Sequence, residues 1–467
     1  ALSRRRKKEE EEDMILKRRR RVYLDNGSPP LQSNVKITPG SFAIRYLLPR
    51  FPFGLSISCV AAKARSPTTA YSCVLGTPSF LVLSGTMETV LSAAQRGCSR
   101  VTLARCKRAY PQNIRPWSST RAAHAYVPTH DVVNQVTPLE NFNSALDTAL
   151  LEAMERSGCE EGAVADVKAF GEKSGKREWL EKAHHANKHP PQLVTHDRFG
   201  NRVDCVEYQP TYHELMDHGL SHGVAAYAWQ NLGAAGAHVA RGAMCHLMYQ
   251  LESGTVCPMT MTFASVPALR MGSPDRCSLW INRVASGVYD PRDIPIEAKK
   301  GATIGMSMTE KQGGSDVRAN STIATPVSAQ KSGNGDMFSL VGHKWFTSAP
   351  MSDAFLTLAQ TDEHPNSPSC FLVPRWLPDG SRNKGFNIMR LKDKIGDRSN
   401  ASSEVEYNDA YGFMIGEPGR GVPTIIEMVV HTRLDCTIGS AALMRHAAQQ
   451  AAHHTSERKA FGAYLID

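Results

Sequence analysis

The chain has 467 residues, of which 41% are hydrophobic and 21% charged, so it can bury the cores of two or three domains. The formal net charge is +9, but residues 1–130 carry 22 Lys and Arg against 7 Asp and Glu, whereas residues 131–467 carry 32 against 38. The positive charge therefore belongs to an N-terminal leader. The slightly acidic body does not support a protein that binds nucleic acid along its whole length.

Two further classes of protein are excluded by simple patterns. No uninterrupted run of about 18 apolar residues occurs, so the sequence predicts no transmembrane helix. The 11 cysteines are spread over the chain without a Cys-x-x-Cys pair, which argues against a disulfide scaffold and against a zinc site. We therefore expect a protein of a reducing compartment that holds no metal.

The leader divides at Met87. Residues 1–86 begin with Ala1 rather than Met and include a dense block of charged residues, so we interpret them as disordered or as upstream sequence. Residues 87–126 contain one acidic residue, many Ser and Thr, and seven basic residues, namely Arg96, Arg100, Arg105, Lys107, Arg108, Arg115 and Arg121. An Arg- and Ser-rich, acid-poor segment is typical of a transit peptide, so we predict mitochondrial import. An arbitrary basic tail on a cytoplasmic protein is the alternative.

Residues 127–300 are predicted to form a helical domain. Apolar residues recur at helical spacing from about Asn143, and two further helices are predicted at 212–229 and 236–251. The Pro-Pro pair within 189–200 indicates a loop between the first helices and the second. Nothing in this region requires more than ordinary helix packing.

The remaining body is predicted to contain a β domain at 301–420 and the start of a second helical domain at 421–467. Short apolar runs alternate with turns, which indicates a mainly antiparallel sheet or barrel with strands near 338–342, 354–359, 370–373, 387–391 and 404–407. Helical periodicity then returns. The order of helices, strands and helices predicts an α+β fold of separate layers rather than alternating βαβ units.

One histidine-rich segment approaches a metal motif without matching it. His213-Glu214 is followed by His218, one position too late for His-Glu-x-x-His. Glu214, His218 and His222 can share one helix face, but an amphipathic face explains that spacing as well as a metal site does. We therefore assign no metal ligands.

The segment that carries chemistry is 305–317, which reads Gly-Met-Ser-Met-Thr-Glu-Lys-Gln-Gly-Gly-Ser-Asp-Val. Its pattern predicts a strand that opens into a loop with two adjacent glycines, flanked by Thr309 and Ser315. Hydroxyl groups and exposed backbone N–H groups in such a turn suit an anionic ligand that accepts several hydrogen bonds.

The full string resembles the flavin-binding loop of the acyl-CoA dehydrogenase family, M-T-E-P-x-A-G-S-D, with Lys311 and Gly313 in place of the usual Pro and Ala. Three later segments resemble further motifs of that family, in the same order and spacing: 344–348, 396–407 and 457–462. Finer details, such as Arg-Ser-Asn-Ala-Ser, resemble the alkylation-response (AidB-type) branch. The resemblance covers roughly residues 127–467.

This resemblance implies an all-α N-terminal domain, a central antiparallel β domain and a truncated C-terminal helical bundle, with FAD between the last two. It also implies an acyl-CoA-type substrate and a homo-oligomer, in which Arg458 reaches the FAD of a partner subunit. The implied cofactor-binding residues are Met308, Thr309, Gly313, Gly314, Ser315, Trp345, Phe346, Thr347, Ser348 and Arg458. Among them, Trp345 would cover the flavin and the Thr347 hydroxyl would donate near its reactive nitrogen.

The chemistry implied by the resemblance is removal of a Cα proton by a carboxylate, with transfer of a hydride from Cβ to the flavin. Family members place that carboxylate in one of two positions, of which one is occupied here by Thr432 and the other lies beyond Asp467. We therefore expect the chain as given to lack the base, to bind FAD weakly and to be poorly stable and inactive. The alternatives are a flavoprotein that binds DNA and protects it from alkylation, and an acyl-CoA or nitroalkane oxidase.

Overall fold

The computed structural model describes residues 57–61, 71–75, 81–85, 140–330 and 332–467. The chain divides into two units, Ala1–Tyr126 and Val127–Asp467. In the first unit three short strands pair antiparallel in chain order: β1 (Ile57–Ala61), β2 (Tyr71–Leu75) and β3 (Leu81–Gly85). The other residues of 1–86 and all of the predicted transit peptide, 87–126, lie outside the described residues. Their interpretation as disordered or upstream sequence and as a transit peptide stays a prediction.

The second unit begins with a helical region, as its apolar periodicity predicts. Its helices are α1 (Thr148–Arg156), α2 (Glu161–Ser174), α3 (Arg177–Lys188), α4 (Pro210–Ser221), α5 (Tyr227–Gln230), α6 (Ala237–Leu251), α7 (Ser253–Arg270) and α8 (Pro274–Val284). Helix α7 is buried on nearly all sides, which explains why its apolar residues are spread around the helix instead of along one face. None of the described helices is both long enough and apolar enough to cross a bilayer.

The segment predicted as a loop at 189–200 is in part a β-hairpin. Strands β4 (Gln192–His196) and β5 (Arg202–Glu207) pair antiparallel. The Asp197 side chain organises the turn, because it accepts hydrogen bonds from the backbone N–H groups of Phe199 at 2.8 Å and Asn201 at 2.9 Å. The prediction was wrong because two short strands beside a Pro-Pro pair show no clear alternation of apolar and polar residues.

The helix predicted at 212–229 is interrupted. Helix α4 ends at Ser221, and Gly223 follows with a φ of +90°. A side chain at Gly223 would meet the Cβ atom of Tyr227 at 2.8 Å, so only glycine allows the chain to turn here before α5 begins. Apolar spacing continues across the break, and it cannot reveal a single left-handed residue.

The β domain is a closed, mainly antiparallel barrel, as the sequence predicts. Its strands are β6 (Ile304–Ser307), β7 (Ile323–Pro326), β8 (Met337–Ser348), β9 (Ala354–Thr361), β10 (His364–Pro374), β11 (Phe386–Leu391) and β12 (Ser402–Ile415). The order along the sheet is β11-β12-β10-β9-β6-β8-β7, and β12 also pairs with β8. That second pairing closes the sheet, while β6 and β7 each run parallel to β9. The α+β fold is confirmed.

The segment predicted to start a second helical domain, 421–467, consists mainly of one long helix. Helix α9 (Gly421–Glu457) has 37 residues and is followed by a hairpin of β13 (Lys459–Ala460) and β14 (Ala463–Tyr464). The helix continues through Gly439. A side chain at this position would lie 2.6 Å from the ring of Tyr249, so the glycine lets α9 pack closely against that ring. Exposed apolar side chains on α9 include Ile426, Val430, Leu434, Leu443 and Met444.

A buried ion pair joins α9 to the helical region. Both carboxylate oxygens of Asp435 accept hydrogen bonds from the guanidinium of Arg241 on α6, one of them at 2.7 Å. The Thr260 hydroxyl on α7 also donates to Asp435, and the Arg241 guanidinium lies 3.7 Å from the ring centroid of Phe263. Three helices therefore meet on one carboxylate that is fully buried.

The histidines that approach a metal motif are engaged by other side chains, although the rings of His218 and His222 lie close, with centroids 4.8 Å apart. His218 is buried, stacks on Trp179 with ring centroids 4.1 Å apart, and its Nε2 atom lies 2.9 Å from the hydroxyl of Ser174. Glu214 instead forms an ion pair with Lys182 at 2.8 Å. Within the described ranges, no group of three potential ligands is arranged to hold a metal ion.

The burial of His218 predicts a pH effect on stability. Burial lowers the pKa of His218 to about 3, whereas an exposed histidine has a pKa near 6.5. Between these values the unfolded state binds one proton more than the folded state. The free energy of unfolding therefore falls by up to about 1.4 kcal/mol for each unit by which the pH is lowered. We expect His218→Gln to flatten the pH dependence of the urea midpoint between pH 4 and 6. The exposed His184→Gln serves as control, and equal slopes in both variants would contradict this account.

Candidate flavin-binding site

Pairing of β6 with β8 brings the two sequence motifs together. Ser307, the last residue of β6, lies opposite Thr347 on β8. Beyond that pair the loop continues alongside β8, and the backbone N–H of Trp345 donates a 2.7 Å hydrogen bond to the carbonyl of Thr309. The motif at 305–317 and the motif at 344–348 therefore form one continuous edge of the barrel.

A β-bulge turns two aromatic rings outward at this edge. Between Lys344 and Thr347, β8 contains one residue more than the facing stretch of β12. Lys344 and Thr347 consequently both point into the barrel and are buried, whereas Phe346 is 50% exposed and Trp345 is half-buried. An extra residue commonly redirects side chains in this way. The bulge leaves two neighbouring rings on the outer surface beside the loop.

The loop is anchored by a buried ion pair that the sequence analysis missed. The Lys344 ammonium lies 2.9 Å from a carboxylate oxygen of Glu310, and both side chains are fully buried. Glu310 also accepts hydrogen bonds from the backbone N–H and hydroxyl groups of Ser321 and Thr322. A lysine at an inward-facing position of an apolar strand was the signal available in the sequence, since such a charge needs a buried partner.

Electrostatics keep Glu310 ionised. Burial by itself would raise the pKa of this carboxyl group, but the charge of Lys344 and the surrounding hydrogen bonds outweigh burial and hold the pKa well below its usual range. Lys344 in turn donates a second hydrogen bond, 2.8 Å long, to the carbonyl of Leu358. The start of the loop is thus fixed to the inside of the barrel.

Beyond Glu310 the loop presents unpaired hydrogen-bond donors. Gly313, with a φ of +117°, and the next two residues are exposed. Among the residues that the structure describes, the backbone N–H groups of Gly314 and Ser315 and the hydroxyls of Thr309 and Ser315 donate no hydrogen bond. Gly314 folds closely onto Thr309, because an added Cβ would lie 2.6 Å from its hydroxyl oxygen. This donor set fits the phosphate oxygens and ring carbonyls of FAD.

The structure places the ten predicted cofactor-binding residues in three settings. Eight of them lie along the joined motifs: Met308, Thr309, Gly313, Gly314, Ser315, Trp345, Phe346 and Ser348. Thr347 lies in the same strand but faces inward, where its hydroxyl oxygen is 2.5 Å from that of Ser307 and its side chain is fully buried. Arg458 stands at the exposed C-terminal end of α9. The roles of these residues toward FAD stay predictions.

The motif at 396–407 connects the barrel to the helices, a role that the sequence did not indicate. Ser399 donates a 2.8 Å hydrogen bond to the buried carboxylate of Glu252, which also caps the first N–H groups of α7. Asn187 on α3 donates to the same carboxylate at 2.7 Å, while its side-chain oxygen accepts from the backbone N–H of Arg398 at 3.1 Å. Glu252 is therefore a second missed residue of the region.

Thr432, at one of the two base positions, is not arranged for proton transfer. It lies within α9, and its hydroxyl donates a 3.0 Å hydrogen bond to the carbonyl of Val429 in the same helix. A threonine hydroxyl satisfied by its own helix cannot abstract a carbon-bound proton. Thr432 is therefore given no catalytic role.

Comparison with known proteins identifies the family. Residues 134–291 match the adaptive response protein AidB N-terminal domain, and residues 305–410 match the acyl-CoA dehydrogenase middle domain. The AidB protein of Escherichia coli (strain K12) is 45% identical over 340 residues, which are 72% of this chain and 61% of AidB. The chain belongs to the acyl-CoA dehydrogenase family. Within that family it carries the AidB-type N-terminal domain.

Two nematode comparisons agree with this assignment. Acyl-CoA dehydrogenase family member 11 of Caenorhabditis elegans is 29% identical over 313 residues, which are 64% of this chain and 48% of that protein. The crystal structure of Caenorhabditis elegans ACDH-11 in complex with C11-CoA has a TM-score of 0.61 at 25% identity, covering 75% of this chain and 59% of that one. The chain therefore spans less than two thirds of the length of these acyl-CoA dehydrogenases. FAD is the cofactor of the family, and the donor set described above is suited to it.

Proposed function

We propose that the protein is an FAD-dependent oxidoreductase that removes hydrogen from the Cα–Cβ bond of acyl-CoA thioesters. The observation that carries the proposal is the edge where β6 meets β8, because it joins unpaired donors of the loop to two outward-facing aromatic rings. Membership of the acyl-CoA dehydrogenase family supports a flavin at that edge. The C11-CoA complex of the Caenorhabditis elegans protein supports a CoA thioester as the substrate class.

Each part of the edge has a separate task in this proposal. Bound FAD supplies the two-electron oxidation. The N–H groups of Gly314 and Ser315 and the two loop hydroxyls bind and orient it, while Glu310 and Lys344 hold the loop in place. Trp345 and Phe346 cover the ligand and exclude water from it. Subunit association through Arg458 and mitochondrial import through residues 87–126 are further proposals, which rest on sequence resemblance and composition alone.

The proposal is tested by purifying the full-length protein and recording its visible absorption. We expect a flavin spectrum that bleaches when an acyl-CoA is added without oxygen. Residues 127–467 expressed alone should bind FAD weakly and show no bleaching, because Thr432 stands at one of the two base positions. Rapid return of the spectrum in air would instead indicate an oxidase. Binding of duplex DNA without any bleaching by acyl-CoA would favour the DNA-protection alternative and contradict the proposed activity.

The tight contact of Gly314 with Thr309 yields a further prediction. Gly314→Ala places a Cβ atom 2.6 Å from the Thr309 hydroxyl oxygen, so the loop donors must move. Overpacking of this kind costs about 1–3 kcal/mol, and we expect FAD affinity to fall about tenfold or more in equilibrium titrations. Gly162→Ala on α2, where nothing lies within 4 Å, is the matched control. Equal affinity in the two variants would contradict the assignment of the loop.

A further inference from the structure

Lys392, which no sequence motif singles out, lies against both outward-facing rings. Its ammonium nitrogen is 3.4 Å from the ring centroid of Trp345 and 4.6 Å from that of Phe346. Both distances are within the range in which a cation is attracted to the face of an aromatic ring. The residue follows β11 directly, and its backbone N–H donates a 2.7 Å hydrogen bond to the carbonyl of Ser402 at the start of β12. This backbone hydrogen bond therefore fixes the position of the Lys392 main chain, from which the side chain extends toward the rings.

An acidic residue holds the other end of that side chain. Glu404 accepts a 2.7 Å hydrogen bond from the Lys392 ammonium, and Arg390 contacts the same carboxylate oxygen at 2.8 Å. The Lys392 and Glu404 side chains are largely buried, whereas that of Arg390 is 64% exposed. Arg390 is also farther from the indole, 5.6 Å from its centroid. Lys392 is thus held between a carboxylate and two rings, and Arg390 is peripheral.

This contact limits how Trp345 can receive a planar ligand. One face of the indole is occupied by the ammonium at 3.4 Å, so a flat ring can stack only on the opposite face unless Lys392 moves away. A side chain restrained on one face also loses less rotational freedom when its other face is covered, which favours binding. Lys392 can therefore either prepare the indole for a ligand or compete with that ligand.

We propose that Lys392 is a positioning residue, which orients Trp345 for FAD by occupying one face of the indole, so that FAD stacks on the opposite face. The inference rests on the proposed function, because it takes FAD as the planar ligand. It concerns the orientation of the ring and assigns Lys392 no contact with substrate or reacting atoms.

The test uses the full-length protein and measures its FAD dissociation constant together with the absorption spectrum of the bound flavin. Lys392→Met keeps the aliphatic stem and removes the charge. We expect it to weaken FAD binding about three- to thirtyfold and to shift the flavin spectrum, since the stacking partner is no longer fixed. Lys392→Arg, which retains the cation, should restore both. Arg390→Met removes a charge beside the same Glu404 and should change the dissociation constant less than about twofold.

A double-substitution cycle separates ring orientation from a general loss of structure. When Trp345 is already replaced by Leu, Lys392→Met should have almost no additional effect on FAD affinity. Equal effects of Lys392→Met with and without Trp345 would overturn the inference, and so would tighter FAD binding by Lys392→Met, because the lysine would then compete with the flavin. If the unsubstituted protein binds FAD and Lys392→Met matches it, only this inference fails. If the unsubstituted protein binds no FAD, the proposed function fails with it.

Discussion

Glu310→Gln is expected to lower the free energy of unfolding by about 3–5 kcal/mol, because it leaves the fully buried ammonium of Lys344 without an opposite charge. Lys344→Met should cost less, since Glu310 keeps hydrogen bonds from Ser321 and Thr322. Equilibrium urea unfolding, followed by far-ultraviolet circular dichroism, measures both effects. The exposed pair of Arg177 and Glu181 provides the control, where Glu181→Gln should cost no more than about 0.5 kcal/mol.

Glu310 should also affect how the free energy of unfolding depends on pH under acidic conditions. The pKa of Glu310 is lower in the folded protein than its ordinary value of 4.5, so its stabilising contribution is complete above that pH. The contribution is lost as the pH falls toward the pKa of the folded state. Stability of the unsubstituted protein should therefore decline more steeply below pH 4.5 than that of Glu310→Gln. Parallel acid limbs would mean that Glu310 is not held ionised by Lys344.

Asp435→Asn should destabilise the protein by a similar amount, about 3–5 kcal/mol, because Arg241 would then be a buried cation with no counter-charge. The loss should be concentrated in α9, whose link to α6 and α7 passes through this carboxylate. Hydrogen exchange measured by mass spectrometry should show that Asp435→Asn accelerates exchange more in α9 than in the barrel strands. Uniform changes over both regions would argue against a local link.

A double variant tests the physical cause of that loss. Replacing Arg241 by Met and Asp435 by Leu together removes both charges and retains most of the buried volume. We expect this variant to be more stable than Asp435→Asn alone, because no uncompensated charge remains in the core. If the double variant is the less stable one, the hydrogen bonds from Arg241 to the Val224 carbonyl and from the Thr260 hydroxyl to Asp435 carry the stabilisation instead of charge neutralisation.

The predicted elements that were correct depend on short stretches of chain. Helical spacing before residue 300 and short apolar runs after it each report on neighbouring residues, so the α+β order could be predicted without knowing any distant contact. The elements that differ depend on single residues. A positive φ at Gly223 ends α4, and tight packing at Gly439 lets α9 continue, although both are glycines within helical patterns.

The sequence by itself determined the family, the α+β architecture and the loop that is suited to FAD, because motifs and periodicity lie within a few residues of one another. Only the tertiary structure decided how the loop is held and what faces it. Glu310 and Lys344 meet because β6 pairs with β8, and Asp435 meets Arg241 across 194 residues of sequence. The pairing of β12 with β8, which closes the barrel, contains the bulge that turns Trp345 outward and Thr347 inward. The folded sheet also places Lys392 against the indole. Strand register and burial are properties of the packed chain, so no local pattern could reveal these contacts.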